Sequence, residues 1–245
     1  MPAASWTAGR LVGFDLETTG LDREHDEPVA YAFATFTDGV RSSLEEGWLL
    51  PTSGRSISEG AARVHGLTEE RLAQLGATRH EEGIEAIASR LAEESARGTP
   101  IVGANLPYDL TMVDRCLGRL ASMSSLERSG WHGPALDVLV IDRALDTDFS
   151  ARPVRKLEAL CEHYGVTSAL HTAGGDATAA VEILLAQADR FPSLAALTLD
   201  EAYERQRVWH AEWCDALSAR RVAQGRSGLE PSEREWPLHV RATLW

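Results

Sequence analysis

The sequence predicts an α/β fold, a mixed sheet of five strands flanked by helices with a C-terminal helical extension, and three observations predict it. Short apolar segments with period-two alternation lie within the first fifty residues. Segments with apolar residues three and four apart follow them, and from residue 100 onward short strands alternate with helices.

Residues 10–16 read as a strand whose Leu-Val-Gly-Phe run leads into acidic residues and the turn signal Thr19-Gly20. Residues 29–37 alternate small and aromatic side chains up to Asp38-Gly39, a hairpin signal, and 43–50 form the return strand, giving a three-stranded antiparallel meander. The pattern then switches to helical spacing over 68–75 and 81–96. Residues 100–103 are a short buried strand, and a helix over 108–120 opens just after Pro107, a residue suited to a first helical turn. A fifth strand is expected over 136–140, and helices over 154–164, 177–190 and 197–224. On the last helix Trp209 and Trp213 share a face and read as anchors that pack it onto the domain. The tail, 225–245, carries Gly228, Pro231 and Pro237 and is expected to be irregular, with Trp236 and Trp245 docking it.

A chain of 245 residues with 44% apolar content can bury one substantial core, so one domain plus an extension is expected. The net charge of −13 and the pI near 5.1 exclude a protein that holds long nucleic acid by neutralising phosphates with a basic stripe. Nucleic acid is still admissible as a substrate, because clustered carboxylates hold divalent cations and the cations then meet the phosphate. Cys116, Cys161 and Cys214 lack zinc or redox spacing and read as buried residues in a reducing compartment. The N-terminus has no leader pattern, and no run of about 18 uncharged apolar residues occurs, so a soluble, cytoplasmic protein with no membrane partner is expected.

Three fragments could carry chemistry, and each also has a plain structural explanation. Asp15-Leu16-Glu17 places two carboxylates on one face of a strand, within reach of one cation; the same spacing is common on solvated acidic surfaces. Asn105 and Asp109 follow a buried strand and open a helix, where their plain reading is an N-cap and a first-turn acid, both favourable against the helix dipole. His171 and Asp176 flank Gly174-Gly175, a pair that lets a loop bend over a substrate; Asp176 also fits a first helical turn and His171 a surface position. Histidine is the side chain suited to taking a proton from an activated water near neutral pH.

Together the strings FDLETTGL (residues 14–21), NLPYD (105–109) and HTAGGD (171–176) resemble, in order, the three motifs of the DnaQ-like 3′ to 5′ exonucleases whose last motif contains histidine. The segment VHGLT (64–68), the Leu136-Asp137 pair and KLEALCEHYG (156–165) are also similar to that family, and the resemblance covers 10–187. It implies an RNase H-like domain over 8–192, with 193–245 as a helix and tail packed on it. It further implies two Mg²⁺ or Mn²⁺ ions held by Asp15, Glu17, Asp109 and Asp176, with His171 as general base and Asp15 bridging the ions. The main chain at Thr18, the apolar Leu21, His65 and Asn105 are the implied substrate contacts. The implied substrate is a single-stranded or frayed 3′ end, DNA first, with a DNA polymerase or repair complex as a possible partner. RNA trimming and a non-catalytic nucleic-acid-binding scaffold are the alternatives.

Overall fold

The computed structural model describes residues 6–120, 125–146, 155–168 and 171–239. Its centre is β1 (Arg10–Thr18), where alternation sends Leu11, Gly13, Asp15 and Glu17 to one face and Val12, Phe14 and Leu16 to the other. β2 (Pro28–Thr37) and β3 (Val40–Trp48) pair antiparallel as a meander, while β4 (Ile101–Gly103) and β5 (Ala135–Asp137) run parallel to β1 on its other side. The sheet order β3-β2-β1-β4-β5 therefore brings the C-terminal ends of β1, β4 and β5 together, the edge of an α/β sheet at which ligands gather.

Short helices α1 (Glu59–His65) and α2 (Glu69–Gln74) follow the meander, capped by Ser58 and Thr68. One sheet face is covered by α3 (His80–Ala96) and α4 (Leu106–Arg119), whose Ile84, Ile87, Leu91, Leu110 and Val113 pack on Phe14 and Phe33. Those two rings stack with centroids 4.9 Å apart. The other face carries α5 (Val138–Leu145), α6 (Leu157–Tyr164), α7 (Ala173–Arg190), α8 (Pro192–Ala195) and α9 (Leu199–Ala223). Each fully buried Leu, Ile or Phe contributes roughly 1.5–3 kcal/mol over leaving it exposed, so the two cores hold the sheet from both sides.

Helix α7 lies against the backbone of β1. A Cβ placed on Gly13 would lie 2.0 Å from the Ala177 carbonyl oxygen, so only glycine permits this approach. Ala30, Ala32 and Ala34 of β2 keep the rest of that face shallow, and α7 answers with Ala173, Ala177 and Ala180. Small residues on both elements thus bring the start of α7 down to the end of β1.

The elements differ from the sequence reading in identifiable places. The fifth strand stops at Asp137 instead of Val140, because the Asp137 carboxylate accepts from the amides of Leu139 and Val140 and starts a helix there. That helix is hidden in the sequence because Val138–Ile141 is buried throughout and lacks polar punctuation. Gly174 and Gly175 are not a flexible loop: α7 begins at Ala173, with Thr172 as its cap, so both glycines are helical. Helix α1 was not expected. The expected helix start at Val154 and the docking of Trp245 fall outside the described residues.

The C-terminal helix begins with a capping box between Thr198 and Glu201. Trp209 packs against both cores, and Arg143 lies 4.1 Å over the Trp213 ring. The chain then turns through a 3-10 segment, Pro231–Arg234, and inserts Trp236 beside Tyr203 at 5.4 Å. Among the described residues no helix is long and apolar enough to cross a membrane.

Candidate active site

Each candidate carboxylate sits where a strand ends or a helix begins. Asp15 and Glu17 point to the α7 side of β1 near its C-terminal end, just before a register shift between Glu17 and Thr18 turns the strand. Asp176 is in the first turn of α7 and Asp109 in the first turn of α4, which follows β4. Because β4 runs parallel to β1, Asp109 is delivered to the same end of the sheet. Three non-glycine residues in the described chain have positive φ, and two of them lie at the entry to these acid-bearing helices, Asn105 (φ 73) immediately before α4 and His171 (φ 66) two residues before α7.

Asp15, Glu17 and Asp176 each offer a carboxylate oxygen, and the three atoms lie within 4.8 Å of one another. Asp109 falls outside that trio but is electrostatically linked to Asp15. Burial raises all four acids, and the charge of a neighbouring carboxylate adds to it at each. Asp15 is held well above the usual carboxylate range by burial and then by the charges of Asp109, Asp176 and Glu17. Burial and then Asp176 push Glu17 up to about 7. Asp176 rises to about 6, chiefly through burial, against a lowering contribution from the His171 amide, which donates to its Oδ1 at 3.3 Å. Asp109 is raised first by burial and then by Asp137 and Glu17. Buried Glu17 Oε1 has no hydrogen-bond partner among the described residues. A set of oxygen donors this short of positive charge fits a hard divalent cation.

His171 is at the rim of the same cleft, half exposed, with Nε2 3.3 Å from Glu158 Oε1. With Glu17, Trp48, Glu46, Tyr31 and His65 it lines a cavity of about 120 Å³. Both His65 nitrogens face the main chain: Leu67 donates its amide to Nδ1 at 3.1 Å, which leaves Nε2 to donate to the Thr18 carbonyl at 3.2 Å. Burial lowers its pKa, in keeping with a neutral ring that fixes α1 against the end of β1.

Beyond Thr18 the turn is braced by Tyr108, whose hydroxyl donates to the Gly20 carbonyl at 2.6 Å and lies 3.0 Å from Thr18 Oγ1. Leu21 follows, 89% exposed, an apolar residue held out in solvent three residues beyond Thr18. Asn105 is exposed at the N-cap of α4, but its side chain does not cap; the Asp137 carboxylate accepts from the Leu106 amide instead, at 2.9 Å. The capping reading of Asn105 is thereby corrected. Tyr108 and Asp137 are site neighbours to which the sequence reading gave no role. Tyr108 lies inside the NLPYD string, and Asp137 belongs to the Leu136-Asp137 pair that resembles the family.

The family model described as Exonuclease (RNase_T) matches residues 12–184. A DNA polymerase III subunit epsilon-like protein from Rhodobacter capsulatus is 32% identical over 179 residues, covering 71% of this chain and 23% of that protein. Exonuclease I from Methylocaldum szegediense has a similar fold, with a TM-score of 0.66 at 22% identity over 84% of this chain and 46% of its own. E. coli Exonuclease I in complex with a dT13 oligonucleotide gives a TM-score of 0.60 at 19% identity over 76% of this chain and 42% of its own. The chain thus spans less than half the length of these structures and under a quarter of the Rhodobacter protein. A family match running from the middle of β1 into α7 takes in every acid of the cluster, and this chain belongs to the DnaQ-like exonuclease family.

Proposed function

We propose that this domain is a divalent-metal-dependent 3′ to 5′ exonuclease that shortens single-stranded or frayed DNA ends and releases nucleoside 5′-monophosphates. The observation that carries the reading is the convergence of Asp15, Glu17 and Asp176 with an unpartnered buried oxygen on Glu17. Asp15, Glu17, Asp109 and Asp176 would hold two Mg²⁺ or Mn²⁺ ions, with Asp15 shared and Asp109 acting at the second. Such a pair of ions supplies the charge that clamps the attacking and leaving oxygens of an in-line phosphoryl displacement. His171, at the rim of the cleft, takes the proton of the attacking water. The Thr18 main chain and exposed Leu21 place the terminal sugar and base, with His65 and Asn105 flanking them.

DNA as substrate is supported by the similar E. coli enzyme, whose structure holds a deoxyoligonucleotide. The epsilon-like relative supports a setting in DNA synthesis or repair, and three free, buried cysteines fit the reducing cytoplasm. The test is digestion of matched 5′-labelled DNA and RNA oligomers with Mn²⁺ or with chelator, by the native chain and Asp15→Ala. The expected result is a metal-dependent ladder shortening from the 3′ end of DNA, absent for the variant. A variant that digests as fast as the native chain overturns the assignment, and faster digestion of RNA overturns the choice of DNA.

A further inference from the structure

We infer that Gln206, on the C-terminal helix α9, is a positioning residue for the carboxylate site, acting through Asp137 on the helix that carries Asp109. The inference rests on the exonuclease reading above. Asp137, at the end of β5, is 1% exposed, and every polar group of its backbone amide and carboxylate named here is engaged. Its Oδ2 accepts from the Leu106 amide, the first of α4, at 2.9 Å. Its Oδ1 accepts from Leu139 at 2.9 Å and Val140 at 3.3 Å, the first turn of α5. Its own amide donates to Gln206 Oε1 at 2.6 Å. Gln206 is wholly buried, and its Nε2 donates to the Ala202 carbonyl at 3.1 Å, so the side-chain amide is locked in one orientation.

The next residue extends the brace. The Val138 carbonyl accepts from Gln187 Nε2 of α7 at 2.9 Å. A two-residue junction therefore ties together α4, which bears Asp109, α7, which bears Asp176, and α9. Asp109 is three residues from Leu106, inside the turn whose leading amide the Asp137 carboxylate holds, and the Asn105 side chain does not cap that helix. The brace fixes the turn on which Asp109 sits. Gln206 lies beyond residue 184, where the family match ends, so this support is supplied by the extension and not by the matched region.

Gln206→Met keeps the length and burial of the side chain while removing the acceptor for the Asp137 amide. Cys214→Ala controls for loosening of α9, because Cys214 is buried on the same helix with its Sγ bonded to His210 and the Glu233 carbonyl and not to Asp137. Both are made in the full chain and measured for kcat and KM on a labelled dT oligomer with Mn²⁺, and for Mn²⁺ affinity of the metal-free protein by calorimetry. Removing an outer support of a metal site typically costs about 10–100-fold. The expected result for Gln206→Met is about a tenfold loss in kcat and in Mn²⁺ affinity with KM within about twofold, while Cys214→Ala stays within about twofold throughout. Asp137→Asn, which replaces one acceptor oxygen by a donor, should lose at least as much and carries the comparison if Gln206→Met does not fold. Native Mn²⁺ affinity and kcat in Gln206→Met, or equal losses in Cys214→Ala, overturn the inference. If the native chain cleaves nothing, the exonuclease reading fails, and the Mn²⁺ affinities alone still support or overturn the positioning role.

Discussion

Two groups of buried carboxylates in this molecule are treated in opposite ways. Glu94, on α3, is wholly buried, and Arg10 reaches it through Nε at 3.1 Å and Nη2 at 2.8 Å, with Arg90 bonded to it as well. Burial alone would raise its pKa, but hydrogen bonds from Arg10, Arg90 and Thr99 hold it at about 2. Asp15, Glu17, Asp109 and Asp176 are brought together with no Lys or Arg ion pair among the described residues, and all four are raised. The difference separates a structural acid from a functional one. Glu94 is neutralised by its own chain, whereas the strand-end cluster is left short of positive charge, which under the proposed function a cation from solution would supply.

The largest expected effect that sharpens this contrast lies in the chemistry. A general base contributes about 10²–10⁴-fold, so if His171 has the proposed role, His171→Ala should lower kcat on a DNA oligomer by that range while Mn²⁺ affinity, read by calorimetry, changes little. A loss of Mn²⁺ binding as large as the loss of rate would make His171 a metal ligand instead.

Glu94→Gln should act on the other group alone. Removing one partner of a buried ion pair leaves the arginines unmatched, at a cost of about 3 kcal/mol, the low end of the usual range because Arg10 is partly exposed. Urea unfolding should register this, with kcat per folded molecule unchanged. A marked fall in kcat at native stability would break the division between the two groups.

The smallest effect is the pH dependence of stability, and its sign differs between the groups. Glu17 moves from 4.5 in the unfolded chain to about 7, and Asp176 from 3.8 to about 6. The metal-free fold therefore binds their protons more tightly than the unfolded chain, and their contribution is complete below about pH 4 and lost as pH rises through 6 to 7. Glu94 contributes above 4.5 and its share is lost as pH falls towards 2. The melting temperature of chelated protein should thus fall as pH rises from about 5 to 8, and Mn²⁺ should flatten that slope. An unchanged slope with Mn²⁺ would show that the cluster does not take the cation.

The elements that positioned the acids were legible because each obeys a local rule. Asp15 and Glu17 share a face by the two-residue period of a strand, and Asp109 sits in the helix that opens after Asn105 and Pro107, whereas Asp176, read in a loop before a helix at 177, lies in the first turn of α7. What was hidden is either a run without a helical period or a contact between partners distant in sequence. Val138–Ile141 is helical because Asp137 caps it, and a run buried on every side carries no helical period. The close approach of α7 to β1 depends on Gly13 meeting Ala177, and the bracing of Asp137 depends on Gln206, 69 residues away. Neither pairing leaves a mark in the order of residues.

Under the proposed function the acids at the end of β1 form a cation site. Its most direct test is calorimetric titration of Mn²⁺ into the metal-free native chain and into Asp15→Asn at neutral pH. Saturable binding by the native chain, lost in Asp15→Asn while Asp15→Asn melts no lower than native in chelator, is the predicted result, since the substitution relieves repulsion inside the cluster. Equal Mn²⁺ binding by both proteins would contradict the account.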